Sequence, residues 1–489
     1  MIIRYLICIL MLMLFSSTTS QAQYDRYWLM GYDCCTPNSG GMNWDFAGVS
    51  PVISYVQRYM NLNETNGTIS DQNGNLLFYS NGIYVANALD DTMQNGSGLN
   101  PGYLTTSRYD NGLSIPQGNI VIPFPDDSTK YYLFHETAEH PQSIYLTFQL
   151  LYSVIDMTLD GGKGGVVQKN TVLIDDTLIV GRLTAVKHAN GRDWWLMSHK
   201  WDSGKIYKFL ITPYGIQGPF IQNIFTIRLN YAGQMLFSPQ GDKFAYYDPE
   251  GDLDVWDFDR CSGNFSNRRF VTIIDSAAGG GAAFSASGRY LYVSSMSYVY
   301  QFDVNDILNS QVTVAVYDGF LSLGLACNFY LSALAPDGKI YIISGNGSND
   351  IHVINSPDSA GSACDFCQHC LHLPAANAFT MSNYPNYYLG PQSGTACDSL
   401  STAIFPVKVP VDAFNVFPNP ASEIFYLTLA GEKVSDVLVY NSMGQIQIID
   451  IAVVNENYLS FNTVFLVPGV YFVSFQSKQG RIVRRVLVK

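Results

Sequence analysis

Ser238-Pro239-Gln240-Gly241-Asp242-Lys243-Phe244-Ala245-Tyr246 decides how the chain folds. A small residue opens a tight turn, a glycine supplies positive φ, and an alternating aromatic/aliphatic run follows as a strand. The pattern returns as Ser285-Ala286-Ser287-Gly288-Arg289-Tyr290-Leu291-Tyr292-Val293 and as Ala335-Pro336-Asp337-Gly338-Lys339-Ile340-Tyr341-Ile342. These turn glycines stand 47 and 50 residues apart. Weaker copies lie upstream at Asn190-Gly191-Arg192-Asp193-Trp194-Trp195 and Asp71-Gln72-Asn73-Gly74-Asn75-Leu76-Leu77-Phe78-Tyr79. Asp126-Asp127-Ser128-Thr129-Lys130-Tyr131-Tyr132-Leu133-Phe134 fits without the glycine. A beat of about 50 residues with a hairpin in each copy is that of a four-stranded β-propeller blade.

Each late copy is followed by a candidate third strand, over residues 252–258, 298–304 and 351–354. Residues 271–274 and 312–317 read as outer strands. Six copies are visible. Tyr27-Trp28-Leu29-Met30-Gly31 reads as a further second strand without its inner partner. That pattern predicts an all-β chain with a seven-bladed propeller over residues 24–390, its last blade assembled from both chain ends. Six and eight blades are the alternative counts. A β-sandwich array does not keep this beat.

Composition narrows the function. The 489 residues are 47% apolar, which excludes intrinsic disorder. The net charge of −13 opposes binding to nucleic acid. One long apolar run exists, over residues 5–15 behind Arg4, and 11 residues are too short to span a bilayer. With Ser20-Gln21-Ala22 as a small-x-small cleavage site, residues 1–22 read as a secretory signal peptide. No membrane span is expected after cleavage. Export permits disulfides, and eight candidate cysteines then remain: Cys34, Cys35, Cys261, Cys327, Cys364, Cys367, Cys370 and Cys397.

Residues 391–412, with Pro391, Gly394, Pro406 and Pro410, read as a linker. Residues 413–489 hold about seven short alternating runs, as in a small β-sandwich. This segment has six basic and five acidic side chains, so the acidic excess belongs to the propeller. Its motifs are Val416-Phe417-Pro418-Asn419-Pro420-Ala421, Val439-Tyr440-Asn441-Ser442-Met443-Gly444-Gln445, Leu466-Val467-Pro468-Gly469-Val470-Tyr471 and a basic end at Lys489. They resemble the type A sorting domain of the type IX secretion system of Bacteroidetes. The resemblance implies a sorting signal carried by Pro418, Asn419, Pro420, Gly444, Pro468, Gly469, Tyr471 and Lys489. It also implies the secretion machinery as partner, with delivery through the periplasm to the outer-membrane surface or the medium. Residues 71–82, 152–157, 163–164, 335–341 and 384–390 resemble the secreted WD40-like propellers fused to such domains, which implies a fold and a location but no activity.

The chemical motifs are sparse. Cys364-x-x-Cys367-x-x-Cys370-x-His372, with His369 between, has enough ligands for a zinc site. In an exported chain a disulfide-stapled loop is the preferred reading. Asp248-Pro249-Glu250-Gly251-Asp252-Leu253-Asp254 resembles part of a calcium loop but lacks the distal glutamate, and reads as a hairpin turn. Gly161-Gly162-Lys163-Gly164-Gly165 lacks Walker spacing and reads as a loop. Trp256-Asp257 matches the dipeptide of WD40 blades only once. Lys187, His188 and His199 could face the channel, though core or rim positions are the plainer reading. Asp398-Ser399-Leu400 resembles a short O-glycosylation motif. No nucleophile elbow or metalloprotease motif is present, so no catalytic, cofactor or metal residue is assigned. The sequence therefore points to a non-enzymatic exported propeller that binds a glycan or protein. The competing reading is a carbohydrate-active hydrolase or lyase at the channel mouth.

Overall fold

The repeated turn forms as its residues require. In the computed structural model Gly74, Gly191, Gly241, Gly288 and Gly338 all have φ between +72° and +81°. Each donates its N–H to the carbonyl three residues back: Asp71, His188, Ser238, Ser285 and Ala335. In the copy without glycine the turn is made by Asp126 at φ +65°, a conformation Asp tolerates better than most residues.

The structure describes residues 23–32, 39–140, 145–224, 227, 232–275, 277–398, 414–429, 433–442, 445–455, 457–477 and 480–489. The signal segment, Cys34, Cys35, the linker beyond Asp398 and Gly444 lie outside them. The chain divides into two units, Met1–Leu400 and Ser401–Lys489.

The first unit holds seven antiparallel blades in chain order, of which blades 2, 3 and 4 are joined into one eleven-stranded sheet through the strand Gly165–Lys187, and a short hairpin pairs Leu321–Ser322 with Leu325–Ala326. Blade 1 has three strands, Tyr27–Tyr32, Gly40–Asp45 and Val52–Val56. Blade 2 is Gly67–Ser70, Leu76–Ser80, Tyr84–Asn87 and Thr92–Ser97. Blade 3 is Asn119–Phe124, Asp127–Glu136, Thr147–Asp156 and the first part of the long strand Gly165–Lys187. The last part of that strand opens blade 4, with Trp194–Lys200, Lys205–Thr212 and Gly215–Asn223. Between the two parts the backbone passes through Gly181 at φ +70°, where a Cβ would lie 2.2 Å from the Pro116 carbonyl oxygen.

Blade 5 is Gln234–Phe237, Lys243–Asp248, Asp252–Asp259 and Asn264–Val271, so its outer strand precedes the run expected at 271–274. Blade 6 is Gly281–Phe284, Tyr290–Ser295, Tyr298–Asp303 and Val312–Val316. Blade 7 is Ser332–Leu334, Ile340–Ile342, Ser348–Ile354 and Phe366–Asn377.

Alternation along each strand buries both faces of a blade. Phe244, Tyr246 and Trp256 of blade 5 pack with Trp195 and Met197 of blade 4. Their neighbours Ala245, Tyr247 and Val255 pack with Leu291 and Val293 of blade 6. Tyr290 and Tyr292 then meet Ile340 and Ile342 of blade 7. Tyr341 and Ile343 meet Trp28, Trp44 and Phe46 of blade 1, which closes the ring. At this seam the Trp44 and Tyr341 rings meet edge-on at 5.2 Å. Such a pair contributes about 0.5–1.5 kcal/mol beyond its area burial.

The closure differs from the expected one. Blade 7 is complete without the N-terminal strand, and no strand is assigned within 378–390. This segment runs along the channel beside blade 1 and bonds largely through side chains. Asn383 Nδ2 donates to the carbonyls of Asn119 and Leu183, Tyr384 OH to Tyr27, and Tyr387 OH to Val121. Pro385 has no N–H to give a ladder, and the asparagine and tyrosine side chains reach several blades that one strand could not pair with together.

The second unit is a sandwich of two four-stranded sheets, one strand more than expected because Ile451–Asn455 also pairs. One sheet is Val416–Phe417, Ile424–Thr428, Tyr458–Asn462 and Ile451–Asn455 in spatial order, and the other is Ile446–Gln447, Ser435–Asn441, Gly469–Ser477 and Gly480–Val488. Phe425, Leu427 and Phe461 from the first pack on Val439, Val473 and Phe475 from the second.

The turn glycines differ in their surroundings, which gives a test. A Cβ at Gly338 would meet nothing within 4 Å, so Gly338→Ala carries only the left-handed backbone cost of about 1–2 kcal/mol. At Gly241 a Cβ would lie 2.9 Å from Arg260 Cδ and Val186 Cγ2. Urea unfolding should therefore rank Gly241→Ala as the more destabilised variant, and equal losses would show that crowding at Gly241 is relieved freely.

Candidate functional site

The inner strands carry small side chains where they line the channel: Thr184 and Ala185, Ala282 and Ala283, Ser332 and Ala333. Small residues on a ring of converging strands leave space, and a cavity of about 630 Å³ remains in the channel. The segment Ser382 to Tyr388 lines one side of it, and the turn residues Pro239, Ala286 and Pro336 also contribute.

The polar lining is largely uncharged. Gln117 is fully used, accepting from Met235 N and donating to Met235 O and Asn383 Oδ1. Gln234 Oε1 accepts from Ala282 N of blade 6 at 3.0 Å and Ser332 N of blade 7 at 3.1 Å. Charge enters through Asp25 and Arg26. Arg26 is committed to a bidentate pair with Asp45 at 2.6 and 2.9 Å. Half-buried Asp25 accepts the Tyr388 phenol, and desolvation raises its carboxyl to about 6. Trp28, Phe46 and Tyr384 supply aromatic wall.

Two further carboxyls with raised values stand outside this lining. Burial lifts Glu64 to about 7 despite the 2.8 Å bond from Tyr330 OH. Burial likewise lifts Glu136 to about 8 against the bond from Gly181 N and the charge of Arg182. Asp25 is the one carboxylate among the described residues lining the cavity.

The residues singled out in the sequence lie elsewhere. His199 is buried between blades 4 and 5, on Tyr246 OH and the Ser203 carbonyl. His188 Nε2 meets the Cys261 carbonyl, and Lys187 Nζ donates to Gly191 O, with burial lowering its value to about 8. The Asp248 loop is the hairpin between the second and third strands of blade 5, with Asp248 Oδ1 accepting from Glu250 N and Gly251 N.

Cys261 is joined to Cys397, and Cys367 to Cys370, while Cys327 and Cys364 are buried free thiols. The first bridge ties the turn between the third and fourth strands of blade 5 to the segment leaving the channel. Closing a 136-residue separation, it stabilises by about 5 kcal/mol in the chain-entropy picture. Among the described residues no three His, Cys, Asp or Glu side chains converge as a metal site. His372 instead pairs with Asp350, and His369 with Asp318.

Cys327 lies 3.6 Å from His352, yet this is not an activated thiol. His352 Nδ1 accepts from His369 N, so Nε2 carries the proton and turns it to the Asn328 carbonyl.

In the sandwich, Asn419 lies along the last strand. Its Nδ2 donates to Arg485 O and its Oδ1 accepts from Leu487 N. Ala421 N donates to Leu487 O and Lys489 N to Ala421 O. The Pro418-Asn419-Pro420 motif thus covers the outer edge of Gly480–Val488, a strand otherwise open to stray pairing. Gly469 begins its partner strand directly after Pro468, and Tyr471 OH donates to Val467 O.

The cavity residues Asp25, Gln234, Ser332 and Tyr388 were not legible as a set. The one usable signal was Gly279-Gly280-Gly281-Ala282-Ala283, a run too small to fill a core strand.

Residues 415–489 match the family model described as secretion system C-terminal sorting domain. No curated protein matches the chain. Among solved structures it is similar to the β-propeller domain of Myceliophteria thermophila Cps50 (Swd1), at 10% identity and TM-score 0.40, over 66% of this chain and 93% of that one. It is also similar to a functionally unknown protein from Desulfotomaculum acetoxidans, at 12% identity and TM-score 0.35, over 64% and 88%. A gluconolactonase from Xanthomonas campestris aligns at 13% identity and TM-score 0.31, over 66% and 93%. No activity carries over at this distance.

The shifted acid sets a pH dependence. Asp25 has a higher value folded than its ordinary 3.8, so its protonated form favours the fold. Its contribution is full below about pH 4 and declines as pH rises through about 6. Asp25→Asn keeps an oxygen for Tyr388 and removes the titration. The variant's melting temperature should gain on the wild type's between pH 4 and 6, whereas parallel profiles would place Asp25 at its ordinary value.

Proposed function

We propose that this is an exported binding protein, displayed on the outer-membrane surface or released, whose propeller takes a glycan or protein ligand at the channel. The C-terminal sorting domain marks the chain as secreted or surface-attached. In this reading residues 1–22 direct passage to the periplasm and residues 413–489 engage the type IX secretion machinery of a Bacteroidetes cell. Residues 24–390 form the WD40-like delivered module, with 391–412 as its tether.

The observation that carries the binding reading is the cavity lining: amides, hydroxyls and aromatic rings around a single carboxylate. Such a surface orients a polar ligand through hydrogen bonds and stacking. The competing reading is a carbohydrate-active hydrolase or lyase at the channel mouth; its hydrolase form draws on two carboxylates flanking one bond, and Asp25 has no such companion among the described lining residues.

A glycan-array screen of the purified protein, with product analysis on every hit, tests this directly. Retention without turnover is expected, and cleavage products would replace binding by catalysis. Removal of residues 413–489 should leave the protein in the periplasm by cell fractionation. Undiminished surface appearance of the truncated chain would remove the sorting role.

A further inference from the structure

We infer that the channel cavity is a socket for one lysine side chain of a protein ligand, its ammonium on Asp25 and its carbon stem along the apolar wall. This rests on the binding reading above and names the group that the same cavity takes.

Asp25 is half-buried and is the one carboxylate among the described residues lining the cavity. Its Oδ1 accepts the Tyr388 phenol. Its Oδ2 has no partner among the described residues and is not sealed in the interior, so it stands open for a donor from outside. Desolvation raises the carboxyl to about 6, so at neutral pH the group is ionised.

No cation of the lining answers that charge. The only basic residue there among the described ones is Arg26, and Asp45 takes its guanidinium in a bidentate pair at 2.6 and 2.9 Å. The cavity wall therefore carries one uncompensated negative charge in a confined space. Attraction for a cation is stronger there than in open water, and a charge held away from water is costly until it is paired.

The surroundings select the form of the cation. Half-buried Tyr384 and Tyr388 line the same cavity. Burial, and then the charge of Asp25, raises both phenols, so the rings stay neutral and present π-faces that suit an ammonium group. Leu236, Phe237, Ala333 and Leu334, also half-buried, add apolar wall. Lysine joins the two needs, with a compact ammonium for the carboxylate and a four-carbon stem for the wall. An arginine fork seeks both oxygens of a carboxylate, and Tyr388 already holds one. A calcium ion takes six or more oxygen ligands, and one carboxylate does not supply them. An amino sugar brings the ammonium but sets hydroxyls against an apolar wall.

The test uses the full chain at neutral pH and saturation-transfer NMR. The probes are a blocked glycyl-lysyl-glycine peptide, the same peptide with its lysine acetylated, and methyl glucosaminide. Transfer to the lysine peptide, strongest on its side-chain methylenes, and none to the acetylated peptide is expected. Asp25→Asn keeps an oxygen for Tyr388 and removes the charge. It should bind the lysine peptide more than ten-fold more weakly, with the near-ultraviolet circular dichroism of the wild type showing that the fold is kept. Equal binding of the acetylated peptide, full affinity in Asp25→Asn, no transfer to the lysine peptide, or preference for the glucosaminide overturns the lysine socket. If other ligands are retained in any of those cases, the socket falls and the binding reading stands. If no glycan or protein ligand is retained, or glycans are cleaved, the binding reading falls with it.

Discussion

Every blade of the propeller has two apolar faces, and neither can be left in water. This constraint governs the rest of the molecule. A strand such as Lys243–Asp248 sends Phe244 and Tyr246 one way and Ala245 and Tyr247 the other. Each face finds its partner on the next sheet, so a row of such sheets ends only by closing on itself. The seam between Trp28, Trp44 and Phe46 of blade 1 and Tyr341 of blade 7 does this without a shared strand. The ring also accounts for a chain that is 14% charged: large areas that would carry charged side chains in other folds are here inter-blade contact.

Closure creates the cavity. Seven blades converging on an axis crowd it, and the inner strands answer with alanine, serine, threonine and glycine. The segment after Asn377 then enters the axial space in place of an eighth set of side chains. Its Asn383, Tyr384 and Tyr387 tie blades 1, 3 and 4 together from within. What is left open is bounded by neutral polar groups and aromatic rings, with Asp25 as its one acid among the described lining residues. The sandwich solves a smaller version of the edge problem. Asn419 uses its side-chain amide as a strand would use its backbone, bonding Arg485 and Leu487.

The legible parts of the fold were those written in local chemistry. Glycine is favoured at the turns because φ is positive there, and the strands between them had to alternate because both faces are buried. The outer strand of blade 5 was misplaced by several residues because Asn264–Val271 is polar and mostly exposed, which gives no alternation to read. The closing strand expected from the two chain ends was replaced by side-chain bonding, since Pro385 breaks any ladder. The extra sandwich strand Ile451–Asn455 is exposed throughout and shows no period.

The sequence by itself determined the repeat, the turn conformations and the sorting motifs, because each depends on residues within about ten positions of one another. It also determined that the late turns share one geometry, since Gly241, Gly288 and Gly338 recur in one context. Only the tertiary structure decided which side chains share the axis. Asp25 meets Tyr388, and Gln234 bridges Ala282 and Ser332, across separations that no local pattern encodes. A closed ring brings distant strands to one point by geometry alone, so the site belongs to the closure and not to any single stretch of the chain.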